Sequence, residues 1–202
     1  MTEPALLSDL DGVLVDSSAS VERAWRRWAA EQRIPFGSIE QCLHGIPSRQ
    51  TIARFAPHLD VAEESRRLDR VQADDAGDVA ALPGAAALLT GGYARRFAIV
   101  TSCDERLAGA RLDAARLPMP PVTITSDMVE RGKPDPEAYL LGAERLRVAP
   151  ADCVVLEDAP AGVAAGRAAG MRVVAVTTTH RPDDLRQADE IVADLRELPS
   201  VL

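Results

Sequence analysis

Apolar positions in this chain follow two rhythms. Between about Ser20 and Gln32, Val21, Ala24, Trp25, Trp28 and Ala29 recur at the spacing that places them on one side of a helix. From there to about Ala81 the pattern stays helical, through "SRQTIARFA" and the polar "VAEESRRLDRVQADDA", and no stretch reads as a strand. After "LPG" (Leu82 to Gly84) the rhythm changes. Short apolar runs, "RFAIVTS", "PVTITS", "CVVLED", "RVVAV" and "EIVAD", alternate with the helical segments "DERLAGARLDAARL", "PEAYLLGAERL", "PAGVAAGRAAG" and the short "PDDLRQA". Pro160 stands at the start of the third of these helices and Gly170 after its end, where each residue fits a helix terminus best.

Such alternation predicts a parallel sheet with helices on both faces. One further run, "ALLSD" (Ala5 to Asp9), stands apart near the N-terminus. A lone strand buries too little surface, so it must join the same sheet. The predicted fold is α/β: a doubly wound parallel sheet from residues 1–15 and 82–202, with a small helical insertion over residues 16–81.

Composition narrows the partners. The 202 residues carry 23 Lys plus Arg against 31 Asp plus Glu, a formal net charge of −8. That surface repels nucleic acid and anionic lipid, although a metal ion or a lysine can reverse the field locally for an anionic small molecule. The apolar stretch "VAALPGAAALL" is short and broken by Pro83 and Gly84, and "MTEPALLSDL" lacks the basic start of a signal peptide. Cys42, Cys103 and Cys153 are far apart and odd in number, which suits a reducing compartment. The expectation is a cytoplasmic protein, monomeric or weakly dimeric, that binds neither nucleic acid nor membrane.

The carboxyl ends of parallel strands share one edge, and ligands bind there. "ALLSD" leads into Asp9, Asp11 and Gly12; "FAIV" into Thr101 and Ser102; "VVL" into Glu157 and Asp158. The loop after "VTIT" carries Lys133, the one cation in the chain that is not arginine. Clustered carboxylates repel one another and call for a counter-cation. An all-oxygen ligand set favours a hard ion, and Mg²⁺ suits phosphate chemistry best. Hydroxyls and backbone N–H groups suit phosphate oxygens, and a carboxylate can act as a nucleophile.

These residues carry a resemblance. "DLDGVLVDS", "VTS", "GKPDPEAY" and "LEDAPAGVAAG" resemble, in order, the four motifs of the haloacid dehalogenase superfamily of phosphohydrolases, and residues 16–81 resemble its small helical cap. The resemblance implies that Asp9 accepts the phosphoryl group and that Asp11 protonates the leaving oxygen and then activates water. It implies that Thr101 and the backbone near Ser102 bind phosphoryl oxygens and that Lys133 pairs with Asp9. Mg²⁺ would sit on the Asp9 carboxylate, the Asp11 carbonyl and Asp158, with Glu157 as a direct or water-mediated ligand. Ser8 departs from the pattern, since a large apolar residue often precedes the nucleophile.

"LHGIPSRQTIARFAP" resembles the cap segment of glycerol-phosphate and deoxysugar-phosphate phosphatases, and places His44 and Arg49 as substrate contacts. The implied activity is Mg²⁺-dependent hydrolysis of a small sugar or polyol phosphate. "GIPSR" also resembles the cap of β-phosphoglucomutases, so a phosphosugar mutase is the alternative, with Arg49 on the second phosphate. A cap without lysine excludes the Schiff-base chemistry of phosphonoacetaldehyde hydrolases. A signalling receiver domain would leave the second acid pair and the helical insertion unexplained.

Overall fold

A computed structural model describes residues 4–40, 43 and 47–200. Strand β1 (Ala5–Ser8) is followed by a very short β2 (Val15–Asp16) and three helices, α1 (Ser18–Glu31), α2 (Ser48–Phe55) and α3 (Val61–Asp74). A second short strand, β3 (Ala80–Ala81), pairs antiparallel with β2. Sequence reading finds no strand here, because two-residue strands are too short to show a period. Together β2 and β3 form a ribbon through which the chain leaves the core and returns to it.

The remainder runs α4 (Ala85–Thr90), β4 (Phe97–Val100), α5 (Glu105–Ala114), β5 (Val122–Ile124), α6 (Glu137–Leu146), β6 (Cys153–Glu157), α7 (Pro160–Ala168), β7 (Arg172–Val176) and β8 (Glu190–Val192). "PDDLRQA" makes only a 3₁₀ turn, Pro182–Leu185. Six strands form one parallel sheet in the order β5-β4-β1-β6-β7-β8. The first strand is therefore central, between β4 and β6, at the point where the winding reverses.

Strand parity divides the core. Leu6, Phe97, Ile99, Val154, Leu156 and Val174 join Leu88 of α4 and Leu107 and Leu112 of α5 on one face. Their alternates Leu7, Ala98, Val100, Val155 and Val173 join Tyr139 of α6 and Val163 of α7 on the other. Both faces are buried, so the strands read as continuous apolar runs, as a doubly wound sheet requires. The insertion has its own apolar core of Val21, Trp25, Trp28, Ile39, Ile52 and Leu68. The tryptophans meet edge to face at 5.3 Å, and the indole N–H of Trp28 donates to Glu64.

Candidate active site

Asp9 lies one residue beyond β1. Its backbone N–H donates to Leu156 of β6 at 2.9 Å, and its carbonyl accepts from the Ser8 hydroxyl at 2.7 Å. Ser8 is thus buried without an orphaned hydroxyl, which explains how a polar residue is tolerated beneath the site. Gly12 turns the chain with φ near +76°, and a Cβ there would overlap the Asp158 carboxylate.

Lys133 reaches the same point from the loop before α6. It is 2% exposed. Its Nζ donates to Asp9 Oδ1 at 2.8 Å, Glu157 Oε1 at 2.6 Å and the Val100 carbonyl at 3.0 Å. Three acceptors converge on one nitrogen, which an ammonium satisfies and a planar guanidinium does not. This is a geometric reason for the chain's one lysine.

Glu157 ends β6 on the parity that faces α6 and α7. Its Oε1 accepts from Lys133 and from the Tyr139 hydroxyl at 2.8 Å. Its Oε2 accepts from the N–H groups of Asp158 and Ala159 at 3.0 and 3.2 Å. Gly162 leaves room for it, since a Cβ there would lie 1.7 Å from Oε1. Asp158 differs: its Oδ2 accepts from the Thr179 hydroxyl, but its buried Oδ1 has no partner.

The electrostatics follow from this crowding. Burial pushes the Asp9 carboxyl up to about 7, with Lys133 opposing and Glu157 and Asp11 adding. Burial, then Glu157 and Asp9, push Asp158 well above the usual carboxylate range. Burial alone would lower the Lys133 ammonium, but Asp9 and Glu157 hold it well above its ordinary value. One oxygen from each of Asp9, Glu157 and Asp158 lies within 4.8 Å of the others. The orphaned Asp158 oxygen and two carboxyls driven toward protonation fit a site for a hard divalent cation. Glu157 belongs to that cluster by distance, but its two oxygens are already taken by four protein donors.

Thr101 is buried at the end of β4, its Oγ1 accepting from the Cys103 N–H at 3.1 Å. Ser102 lines a crevice of about 60 Å³ between core and insertion, together with Asp9, Asp11 and Asp158. Asp11 accepts from the Ser17 hydroxyl at 2.5 Å, from the Cys103 thiol at 3.1 Å and from the Arg111 guanidinium. Arg49 does not enter this crevice. Its guanidinium donates to the Glu130 carbonyl at 2.7 Å, which ties α2 to the lysine loop. His44 lies outside the described residues.

Several neighbours of the site escape sequence reading. Arg111 interrupts the apolar stripe of Leu107, Ala108 and Leu112 on α5, a visible anomaly. Thr179 follows β7 on the same sheet edge, so the strand-end rule applied to one more strand would have found it. Asp69 and Gln72 of α3 also line the crevice, and nothing in their polar surroundings in the sequence marks them out.

Comparison with known proteins agrees with this geometry. The family model described as haloacid dehalogenase-like hydrolase matches residues 4–170. The chain is 42% identical to Hexitol phosphatase A of Escherichia coli (strain K12), covering 95% of this chain and 91% of that one. It is 32% identical to Glycerol-1-phosphate phosphohydrolase 1 of Saccharomyces cerevisiae, covering 91% and 78%. The structure of CbbY from Rhodobacter sphaeroides in complex with phosphate superposes with a TM-score of 0.84 at 26% identity, covering 98% and 96%. An acid at the winding reversal, a buried lysine on it, an acid pair on the next strand and full-length relatives of this kind lead to one conclusion: the chain belongs to the haloacid dehalogenase-like hydrolase family, among its phosphatases.

Proposed function

We propose that the chain is a Mg²⁺-dependent phosphatase of small hydroxyl-bearing phosphate monoesters, sugar or polyol phosphates, acting through an aspartyl phosphate. The observation that carries this reading is Asp9, fixed by Lys133 at the centre of the sheet edge and facing a crevice that also contains Asp11. The names of the relatives, a hexitol phosphatase and a glycerol-1-phosphate phosphohydrolase, support the substrate class.

Asp9, the Asp11 carbonyl and Asp158 would hold the ion. Bound there, Mg²⁺ would neutralise the carboxylates and the phosphoryl charge. Asp9 attacks phosphorus and the ester bond breaks, while Asp11 gives its proton to the leaving oxygen. Asp11 then takes a proton from water, which attacks the aspartyl phosphate and releases inorganic phosphate and free Asp9. Thr101 and the backbone at Ser102 hold phosphoryl oxygens, and Lys133 orients Asp9 and opposes the rise that burial imposes on its carboxyl. Glu157 positions Lys133 rather than binding the ion directly, since it is saturated by protein donors.

The mutase alternative needs a cation in the crevice for a second phosphate. Among the described residues lining the crevice Arg111 is the one cation and it is held by Asp11, which favours the hydrolase; Arg49 lies beside Thr101, Ser102 and Lys133 in a neighbouring pocket. The test is phosphate release from a panel of sugar and polyol phosphates with Mg²⁺. Wild-type protein is expected to release phosphate, and Asp9→Asn to lose at least about a thousandfold in rate. Full activity of Asp9→Asn would refute the assignment.

A further inference from the structure

The wall of the crevice formed by α3 and α5 has an unusual charge balance. Arg111 is its one cation among the described lining residues, and it is 3% exposed. The charge is already matched: one terminal nitrogen donates to Asp11 and lies 2.6 Å from Cys103 Sγ, and the other donates to Gln72 Oε1 at 2.9 Å. Its Nε is buried and unpaired. Asp69, 8% exposed on α3, is an acid of this wall that makes no direct ion pair among the described residues. It accepts one hydrogen bond, from Ser48 at 3.2 Å, and Ser48 in turn shares a hydrogen with Ser65 at 2.6 Å.

A leaving group entering this space meets an acceptor in Asp69 and, in Gln72, an amide nitrogen with no acceptor among the described residues. It meets an apolar surface in Trp25 and Leu107. That environment suits carbon-bound hydroxyls. It does not suit a carboxylate or a second phosphate, which would face Asp69 and Asp11 with no free cation among the described lining residues. A like charge at about 5 Å and an effective dielectric near 20 weakens binding by roughly a hundredfold.

We propose that Asp69 determines specificity: it accepts a hydroxyl of the leaving alcohol and rejects esters whose leaving group is an anion, so that the substrate is the monophosphate of an uncharged polyol or sugar. The assignment rests on the phosphatase reading above. Retention of a carboxylate here is costly to the fold. Burial pushes Asp69 up to about 7, helped by Asp104 at the start of α5 and opposed by Ser48 of α2, Arg111 of α5 and Arg70 of α3.

A matched pair of esters tests it: glycerol 1-phosphate, whose leaving group is neutral, and 3-phosphoglycerate, whose leaving group carries a carboxylate. Wild-type protein is expected to prefer the first in kcat/KM by at least about tenfold. Asp69→Asn, nearly isosteric, is expected to lower kcat/KM for glycerol 1-phosphate about tenfold and to raise it for 3-phosphoglycerate about tenfold. Asp69→Ser, smaller and also uncharged, should shift the ratio the same way, which guards against a packing artefact. The wild-type ratio should widen between pH 6 and pH 8 as Asp69 ionises, and the Asn variant's should not. Parallel loss on both esters, or an unchanged ratio, overturns the assignment while leaving the phosphatase reading intact. Failure of the wild-type protein to hydrolyse any ester in the wider panel overturns both.

Discussion

The site has two halves built from similar groups, and they are held in opposite ways. In the sheet-edge half, Lys133, Asp9 and Glu157 use every donor on the ammonium and every lone pair on Glu157 inside the protein. In the wall where α3 of the insertion meets α5 of the core, Asp69 has a single 3.2 Å hydrogen bond. The first arrangement is closed, as the proposed nucleophile requires. The second is less completely paired, as the proposed binding wall requires.

That contrast breaks most severely at Lys133. Lys133→Met leaves two buried carboxylates without their partner, and a loss of about 3–5 kcal/mol in stability is expected together with loss of turnover. Lys133→Arg keeps the charge but cannot aim one nitrogen at three acceptors. It is expected to lose about a hundredfold in turnover and to melt lower, and near-normal turnover would show that charge alone suffices. Denaturant titration and phosphate release measure both.

Asp69 gives the next effect, and its sign is opposite. Its carboxyl moves from 3.8 to about 7 on folding, so between those values the folded protein keeps a proton that the unfolded chain releases. Stability is therefore lost as pH rises through that window, by up to ~4 kcal/mol from this group. Asp69→Asn removes the dependence, and its melting temperature relative to wild type is expected to rise from pH 5 to pH 8. A flat difference would mean that Asp69 ionises in the folded protein as readily as in the unfolded chain.

Gly162→Ala gives the smallest expected change. The new methyl falls on the Glu157 carboxylate, and relief must come from moving α7 or the glutamate. A cost of ~1–3 kcal/mol is expected, with reduced turnover if Glu157 shifts Lys133. Thermal unfolding and steady-state rates check it.

The fold was legible because a doubly wound sheet writes itself into sequence as apolar runs with turns between them. Asp9, Thr101, Lys133 and Asp158 meet because they stand beyond the ends of adjacent strands, a position that sequence order already implies. The division of labour inside Glu157 was not legible: it depends on Tyr139, six residues past Lys133, turning its hydroxyl under the sheet. Nor was the insertion wall. Asp69, Gln72 and Arg111 are brought together by docking α3 against α5, a tertiary contact between segments some forty residues apart, and no local pattern encodes it. Arg49 shows the same limit from the other side, since its place on the Glu130 carbonyl is set by how α2 rests on the lysine loop.

The two-residue ribbon of β2 and β3 has a practical corollary. Val15 faces Ala81 and Asp16 faces Ala80, so the chain enters and leaves the insertion at points about 5 Å apart. The chain thus joins the helical unit to the core at one seam, while α3 against α5 and α2 on the lysine loop dock it in space. A tight turn could close that seam, and a different set of helices could be grafted into it, without altering the register of the six-stranded sheet.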